Sequence, residues 1–244
     1  MTDPTSNTAE IYDAFAKEYR AYSEGKAAYI RAVDNLITER FKNKTGILLD
    51  YGSGDGVRGA ALFRELSGKE LYQADISAEM VKQCRALGQA SAVFKVDESD
   101  WASEVPRADL AVCLWNVLGH IPGTEARIAV LKDIHRALKP NAPLCIDVNN
   151  RHYVGYGFFR SLFRRCIDSL WRDDSRGDVK FTWKIDGRNY PASGHFFTPK
   201  ELRDLLETAG FDVEQALSVD YENGSVSENL TQGQIFILAK KNDD

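Results

Sequence analysis

An aspartate that runs directly into alternating glycines is the first feature of this chain with chemical consequences: Ile47-Leu48-Leu49-Asp50-Tyr51-Gly52-Ser53-Gly54-Asp55-Gly56. Glycines at such a turn let backbone come close to a ligand, because no side chain stands in the way. A helix starting near Val57 aims its positive amino-terminal end into the same space. Asp75 follows with a carboxylate able to accept two hydrogen bonds from a diol. Two cofactor classes suit this arrangement. Gly54-Asp55-Gly56-Val57-Arg58-Gly59 satisfies the dinucleotide pattern G-x-G-x-x-G, and Asp75 lies about 20 residues on, as NAD binding requires. An acidic Asp55 fits poorly beside a pyrophosphate and suits a cationic sulfonium ligand carrying an ammonium group.

Candidate acids and bases lie further along. His120 follows an apolar run, His152, Tyr153 and Tyr156 follow another, and Tyr190 and His195 stand in a later segment. Arg151 is placed to hold a carboxylate bidentately. Cys84, Cys113, Cys145 and Cys166 form no C-x-x-C pair, and the four histidines supply no close imidazole pair, so no metal site is expected.

The elements that must position these residues are legible from periodicity. Residues 8–43 carry apolar side chains at helical spacing, interrupted at Gly25. From residue 46 strands and helices alternate: strands at 46–50, 71–75, 92–96, 110–115 and 143–148, helices at 57–66, 78–87 and 125–138. That rhythm predicts an α/β fold with a doubly wound, mainly parallel sheet and helices on both faces. After Asn150 it breaks. Val179 to Ile185 alternates like a strand before an Asp186-Gly187 turn, predicting a hairpin. Thr198 with Glu201 forms a capping box for a helix ending at Gly210, and strands at 211–219 and 234–239 bring the predicted total to seven, the last antiparallel. Phe158-Phe159-Arg160-Ser161-Leu162-Phe163-Arg164-Arg165 is basic and aromatic. The expectation is an amphipathic lid helix with phenylalanines inward, although such a stretch also suits tRNA or a membrane surface.

The 43% hydrophobic and 27% charged composition of the 244 residues is that of a globular protein, and a net charge of -5 argues against a nucleic-acid-binding module. No run approaches the roughly 20 apolar residues of a membrane span, and the polar amino terminus does not read as a signal peptide, so a cytoplasmic location is expected.

Several motifs, in order over roughly residues 10–150, resemble the class I S-adenosylmethionine-dependent methyltransferases. Tyr12 to Tyr19 resembles the cap of that family, Asp50 to Gly56 its first motif and Ala74 to Met80 its second, with Asp75 on the ribose hydroxyls. Val96 to Trp101 resembles the adenine-binding segment, Asp97 facing the adenine amino group, and Cys113 to His120 resembles the motif after the fourth strand. The resemblance implies S-adenosylmethionine as cofactor, with contacts from Tyr19, Asp50, Gly52, Ser53, Gly54, Gly56, Asp75, Ile76, Met80, Asp97, Glu98, Leu114 and Trp115. It implies one domain over residues 1–244: helical cap 8–43, core 46–150, substrate lid 151–197 and a carboxyl-terminal part 198–244. Cys113 to His120 and Ile146 to Arg151 look most like small-molecule N-methyltransferases, so a small amine or hydroxyl acceptor is expected, with His120, Tyr153 and His195 as catalytic candidates. The amino-directed base-methylation motif N-P-P-Y is absent after strand four, where Leu114-Trp115-Asn116-Val117 stands. A tRNA methyltransferase and a non-catalytic cofactor-binding protein remain the alternatives. A monomer or homodimer is expected.

Overall fold

In the computed structural model, which describes residues 4–242, strand alternation places successive side chains on opposite faces of one central sheet. Leu48 and Leu49 show the consequence: both are fully buried, but in separate cores on either side.

The amino-terminal cap comprises α1 (Pro4–Phe15), α2 (Tyr19–Glu24) and α3 (Ala27–Phe41), so the chain breaks near residues 16–18 as well as at Gly25. The core then alternates β1 (Ile47–Tyr51), α4 (Val57–Glu65), β2 (Glu70–Asp75), α5 (Ala78–Leu87), β3 (Ala92–Lys95), the short α6 (Trp101–Glu104), β4 (Leu110–Cys113), α7 (Thr124–Ala137) and β5 (Pro143–Val148). Next come α8 (Phe158–Leu170), the hairpin β6 (Asp178–Ile185) and β7 (Arg188–His195), α9 (Pro199–Thr208), β8 (Phe211–Val219), β9 (Val226–Ser227) and β10 (Gln234–Lys241). The capping box at Thr198 and Glu201 is formed.

The sheet order is β3-β2-β1-β4-β5-β10-β8-β9. β1 through β5 are parallel, and β10 runs antiparallel between β5 and β8. The seven expected strands are present, and two-residue β9 adds an eighth at the edge. α7 and α9 pack Leu131, Ile134, Leu202 and Leu206 on one face, while α3 and α4 pack Val33, Ile37, Ala60 and Leu62 on the other. A smaller cluster joins α1 to the hairpin through Ile11, Phe15, Ile185 and Ala192.

α8 departs from expectation. Its phenylalanines point away from the protein, with Phe159 82% and Phe163 66% exposed, and its buried residue is Ser161. Periodicity identified the apolar stripe; the inner side of the helix is instead tied down by polar bonds, from Ser161 Oγ to the His152 carbonyl and from Arg164 to the Arg151 carbonyl.

Candidate active site

From β1 the chain winds to β2 and β3 on one side, then returns to place β4 and β5 on the other. At that reversal the loops after β1 and β4 diverge and leave a crevice, the position where open parallel sheets bind ligands. A cavity of about 730 Å³ lies there, bordered by Tyr51, Gly52 and Gly54 after β1 and by Leu114, Trp115 and Asn116 after β4.

The glycine loop has a local reason for its composition. Gly52 and Gly54 have φ of 75° and 55°, a region side chains enter at a cost. A Cβ on Gly52 would overlap Val117, and one on Gly54 would lie 2.7 Å from the Tyr19 hydroxyl. Tyr19 thus sits directly over the loop, against Trp115 at 5.7 Å between ring centres. The loop amides serve the protein itself: Gly52 and Ser53 donate to the Ala74 carbonyl, Gly54 donates to Asp75 Oδ2 at 2.8 Å and Gly56 donates to the Ser53 carbonyl. A dinucleotide loop needs free amides to solvate a pyrophosphate, and here they are already committed. Gly59, the third glycine of that reading, packs helix against strand, since a Cβ there would overlap Asp50.

Asp75 lies in the cavity wall at the end of β2. Gly54 and Ser77 amides donate one bond to each of its oxygens, at 2.8 and 2.9 Å, which fixes the carboxylate and leaves further lone pairs toward the cavity. Burial pushes its pKa up to about 6, against the opposing effect of these amides. Burial does the same to Asp50, which accepts from Gln73 and borders a small recess beside the cavity with Ser53, Asp55 and Arg58. Asp55 pairs with Arg20 at 3.3 Å and accepts from the Val57 amide, so its charge is spent on the fold and does not face the main cavity. The donor set therefore suits a ligand with a diol and no phosphate.

Much of the remaining wall is aromatic. Phe15, Tyr22, Trp115 and Trp183 come from the cap, the β4 loop and the hairpin, with Phe15 4.6 Å from Trp183 and Tyr22 stacked on Trp115 at 5.6 Å. His120 faces the same cavity, its ring edge-on to Tyr12 at 5.5 Å. Desolvation lowers its pKa to about 4, so it is neutral across the physiological range.

Residues 19–216 match the family described as a methyltransferase domain. The chain belongs to that methyltransferase family. It is a class I enzyme, and the methyl donor of that class is S-adenosylmethionine. An uncharacterized protein of Methanocaldococcus jannaschii is 23% identical over 223 residues, covering 90% of this methyltransferase and 82% of its own length. Among solved structures, a S-adenosylmethionine-dependent methyltransferase from Methanosarcina mazei superposes with a TM-score of 0.59 at 21% identity, over 85% of this chain and 98% of its own. The 1,6-didemethyltoxoflavin-N1-methyltransferase of Burkholderia thailandensis gives 0.62 at 18% identity, over 100% and 92%. These likenesses show the fold.

In this methyltransferase Tyr19, Gly52, Gly54, Asp75, Ile76, Leu114, Trp115 and His120 share the cavity. Asp50 and Ser53 border the recess, whereas Gly56 packs against Cys84 and Gln73, and Met80 is fully buried away from the cavity. Asp97 and Glu98 do not reach the cavity: both pair with Lys95 and are largely exposed, and Val96 and Trp101 border it instead. Tyr153 is turned away, donating to Asp220 at 2.7 Å. His195 is buried between Asp178 and Glu201, each at 2.7 Å, and joins the hairpin to the start of α9. Arg151 and His152 are bound to Asp168 at 3.1 and 2.9 Å, and Tyr156 to Gln234. Tyr190 packs on the cluster between cap and hairpin.

Sequence reasoning missed the device that shapes the β4 loop. Trp115 and Asn116 both have left-handed φ, 66° and 61°, and buried Asp147 on β5 accepts from the Trp115 amide at 2.7 Å while the Tyr29 hydroxyl donates to its other oxygen. An ionisable residue inside the apolar run Leu144-Cys145-Ile146-Asp147-Val148 was the available signal.

Proposed function

We propose that this methyltransferase transfers a methyl group from S-adenosylmethionine to an amine or hydroxyl of a small, largely apolar acceptor. The observation that carries the proposal is a neutral His120 in the same cavity as Asp75, much of whose wall is aromatic. Asp75 would hold the ribose hydroxyls, with Gly52 and Gly54 giving close passage and Tyr19 covering the loop. When bound, S-adenosylmethionine supplies an electrophilic methyl group on a positively charged sulfur. Trp115 and Tyr22 offer ring faces that favour a neighbouring cation. Phe15 and Trp183, with Tyr22 at the rim, would orient an acceptor, and good orientation can supply up to roughly 7–11 kcal/mol of acceleration. His120 would take the proton that the acceptor gives up as its new bond to carbon forms. The Burkholderia enzyme, solved with bound 1,6-didemethyltoxoflavin, and a possible histamine N-methyltransferase of Thermotoga maritima support a small nitrogen acceptor. No helix among the described residues is long and apolar enough to cross a membrane.

Labelled methyl transfer to pools of amines, phenols, carboxylates and tRNA tests the reading. Transfer to an apolar amine or phenol is expected; transfer to tRNA alone, or to no pool, overturns it. Asp75→Ala should weaken S-adenosylmethionine binding by roughly 1.5–3 kcal/mol, the scale of hydrogen bonds to a charged group. Unchanged affinity in calorimetry would take Asp75 off the ribose.

The binding should also depend on pH, and the sign follows from the raised pKa of Asp75. The ionised carboxylate is the better acceptor for two hydroxyls. Affinity should be full above its pKa of about 6 and decline as pH falls through that value. Asp50 titrates in the same range and direction, which deepens any loss it shares. Calorimetry in buffers spanning this range measures it, and affinity constant across it would contradict the assignment.

A further inference from the structure

We propose that α8 docks this protein onto the surface of an anionic lipid bilayer, its apolar face lying among the acyl chains and its flanking arginines at the headgroups. The helix is mounted inside out. Ser161, Arg164 and Asp168 lie toward the protein, and each is hydrogen-bonded or ion-paired there, Asp168 with both Arg151 and His152. Phe158, Phe159, Leu162, Phe163 and Leu170 are exposed, Leu170 at 88%, and Trp171 stands exposed just beyond the helix. Apolar groups left in water are unfavourable in proportion to the area that could be buried. A soluble helix ordinarily turns that stripe inward. Here polar bonds hold the opposite orientation, so the medium facing α8 must be apolar when the face is covered.

Charge says which medium. Phe159, Phe163, Cys166 and Leu170 follow one another at spacings of four, three and four, which aligns them on one side of the helix. Arg160 and Arg165, both exposed, flank the apolar face that these residues form with Phe158 and Leu162, at 100° per residue. Asp168, the acidic residue of α8, is turned inward and neutralised, so the outward side carries positive charge alone although the whole chain is at -5. Beyond the helix, Arg172 is already paired with Asp174 and Asp204 and contributes little. An apolar aromatic face edged by arginines is the arrangement of a helix lying in a bilayer interface, where long basic side chains reach up to anionic headgroups. A second copy of the chain fits less well, because mating two such faces sets arginine edges together with no exposed carboxylate of α8 between them.

Sedimentation of the full-length protein with vesicles tests this directly, using phosphatidylcholine alone and phosphatidylcholine mixed with phosphatidylglycerol. Binding to the mixed vesicles is expected, weaker on phosphatidylcholine alone and weakened by salt. Phe159→Ser with Phe163→Ser should reduce partitioning by roughly 100-fold or more, given the apolar area each ring would bury. Arg160→Gln with Arg165→Gln should reduce it by roughly tenfold or more on the mixed vesicles, with a smaller effect on the neutral ones. Both double variants change exposed side chains, so S-adenosylmethionine affinity and melting temperature should stay as they are. Failure of the unaltered protein to bind mixed vesicles overturns the proposal, as does binding that survives loss of both phenylalanines. A dimer in sedimentation velocity that Phe159→Ser with Phe163→Ser converts to monomer would assign the face to a second copy and overturn it too.

Discussion

His120→Ala is expected to lower kcat by roughly 100-fold while leaving S-adenosylmethionine affinity unchanged, the low end of the 10²–10⁴ span for a positioned general base. The low end follows from chemistry, since burial brings the imidazole pKa down to about 4 and a weaker base accelerates proton removal less. The ring is neutral at all pH values above that, so kcat should stay level from neutrality toward acid while the apparent KM for the donor rises below about 6 as Asp75 takes up a proton. Two separate titrations in kcat and KM distinguish the residues. His120 meets Tyr12 edge to face, and its carbonyl accepts from the Thr8 hydroxyl, a bond that alanine retains. An unchanged kcat with every acceptor would remove His120 from the chemistry. The same histidine also bears on folding. Its pKa in the fold is below its usual 6.5, so as pH falls through that value the unfolded chain gains the proton first. The fold loses this contribution progressively between 6.5 and about 4, and His120→Ala should flatten that part of the acid-unfolding curve.

Asp147→Ala should be the most damaging single change to stability among those considered, about 3–5 kcal/mol. The carboxylate is 1% exposed and accepts from two buried donors, the Trp115 amide and the Tyr29 hydroxyl, so its removal leaves both without their acceptor. Arg58, bound to Asp34 at 2.8 Å, also loses a nearby carboxyl group. In a chain of this size each kcal/mol shifts the melting temperature by roughly 2–4 °C, so a fall of roughly 10 °C is expected in calorimetry. Because Trp115 and Asn116 hold left-handed backbone, losing Asp147 should also relax their loop and weaken donor binding. A melting temperature within about one degree of the unaltered protein would show the loop to be held by other contacts.

The parts of this molecule legible in its sequence are those set by neighbours along the chain. Strand-helix alternation located the parallel sheet, and Gly52, Gly54 and Asp75 fall within one unit whose geometry is local. Asp97 pairs with Lys95 outside the cavity, and the direction that the loop takes after β3 is not written in local periodicity. Tyr153 and His195 have types and positions suited to catalysis, yet their directions are set by Asp220, Asp178 and Glu201, which only the fold brings near. The aromatic wall assembles Phe15, Trp115 and Trp183 from three distant segments, and no periodicity announces such a meeting. For α8 the 3.6-residue repeat marks an apolar stripe but carries no information about which side the rest of the chain will hold.

Asp13, two residues before the aromatic wall residue Phe15, accepts from the Ser77 hydroxyl and the Glu79 amide at the start of α5, while Ile11 and Phe15 of the same helix pack on the hairpin. A single helix is therefore clasped at once to the β2–α5 junction beside Asp75 and to the aromatic wall. Peeling α1 from either partner strains its hold on the other, so the two halves of the chamber share one door.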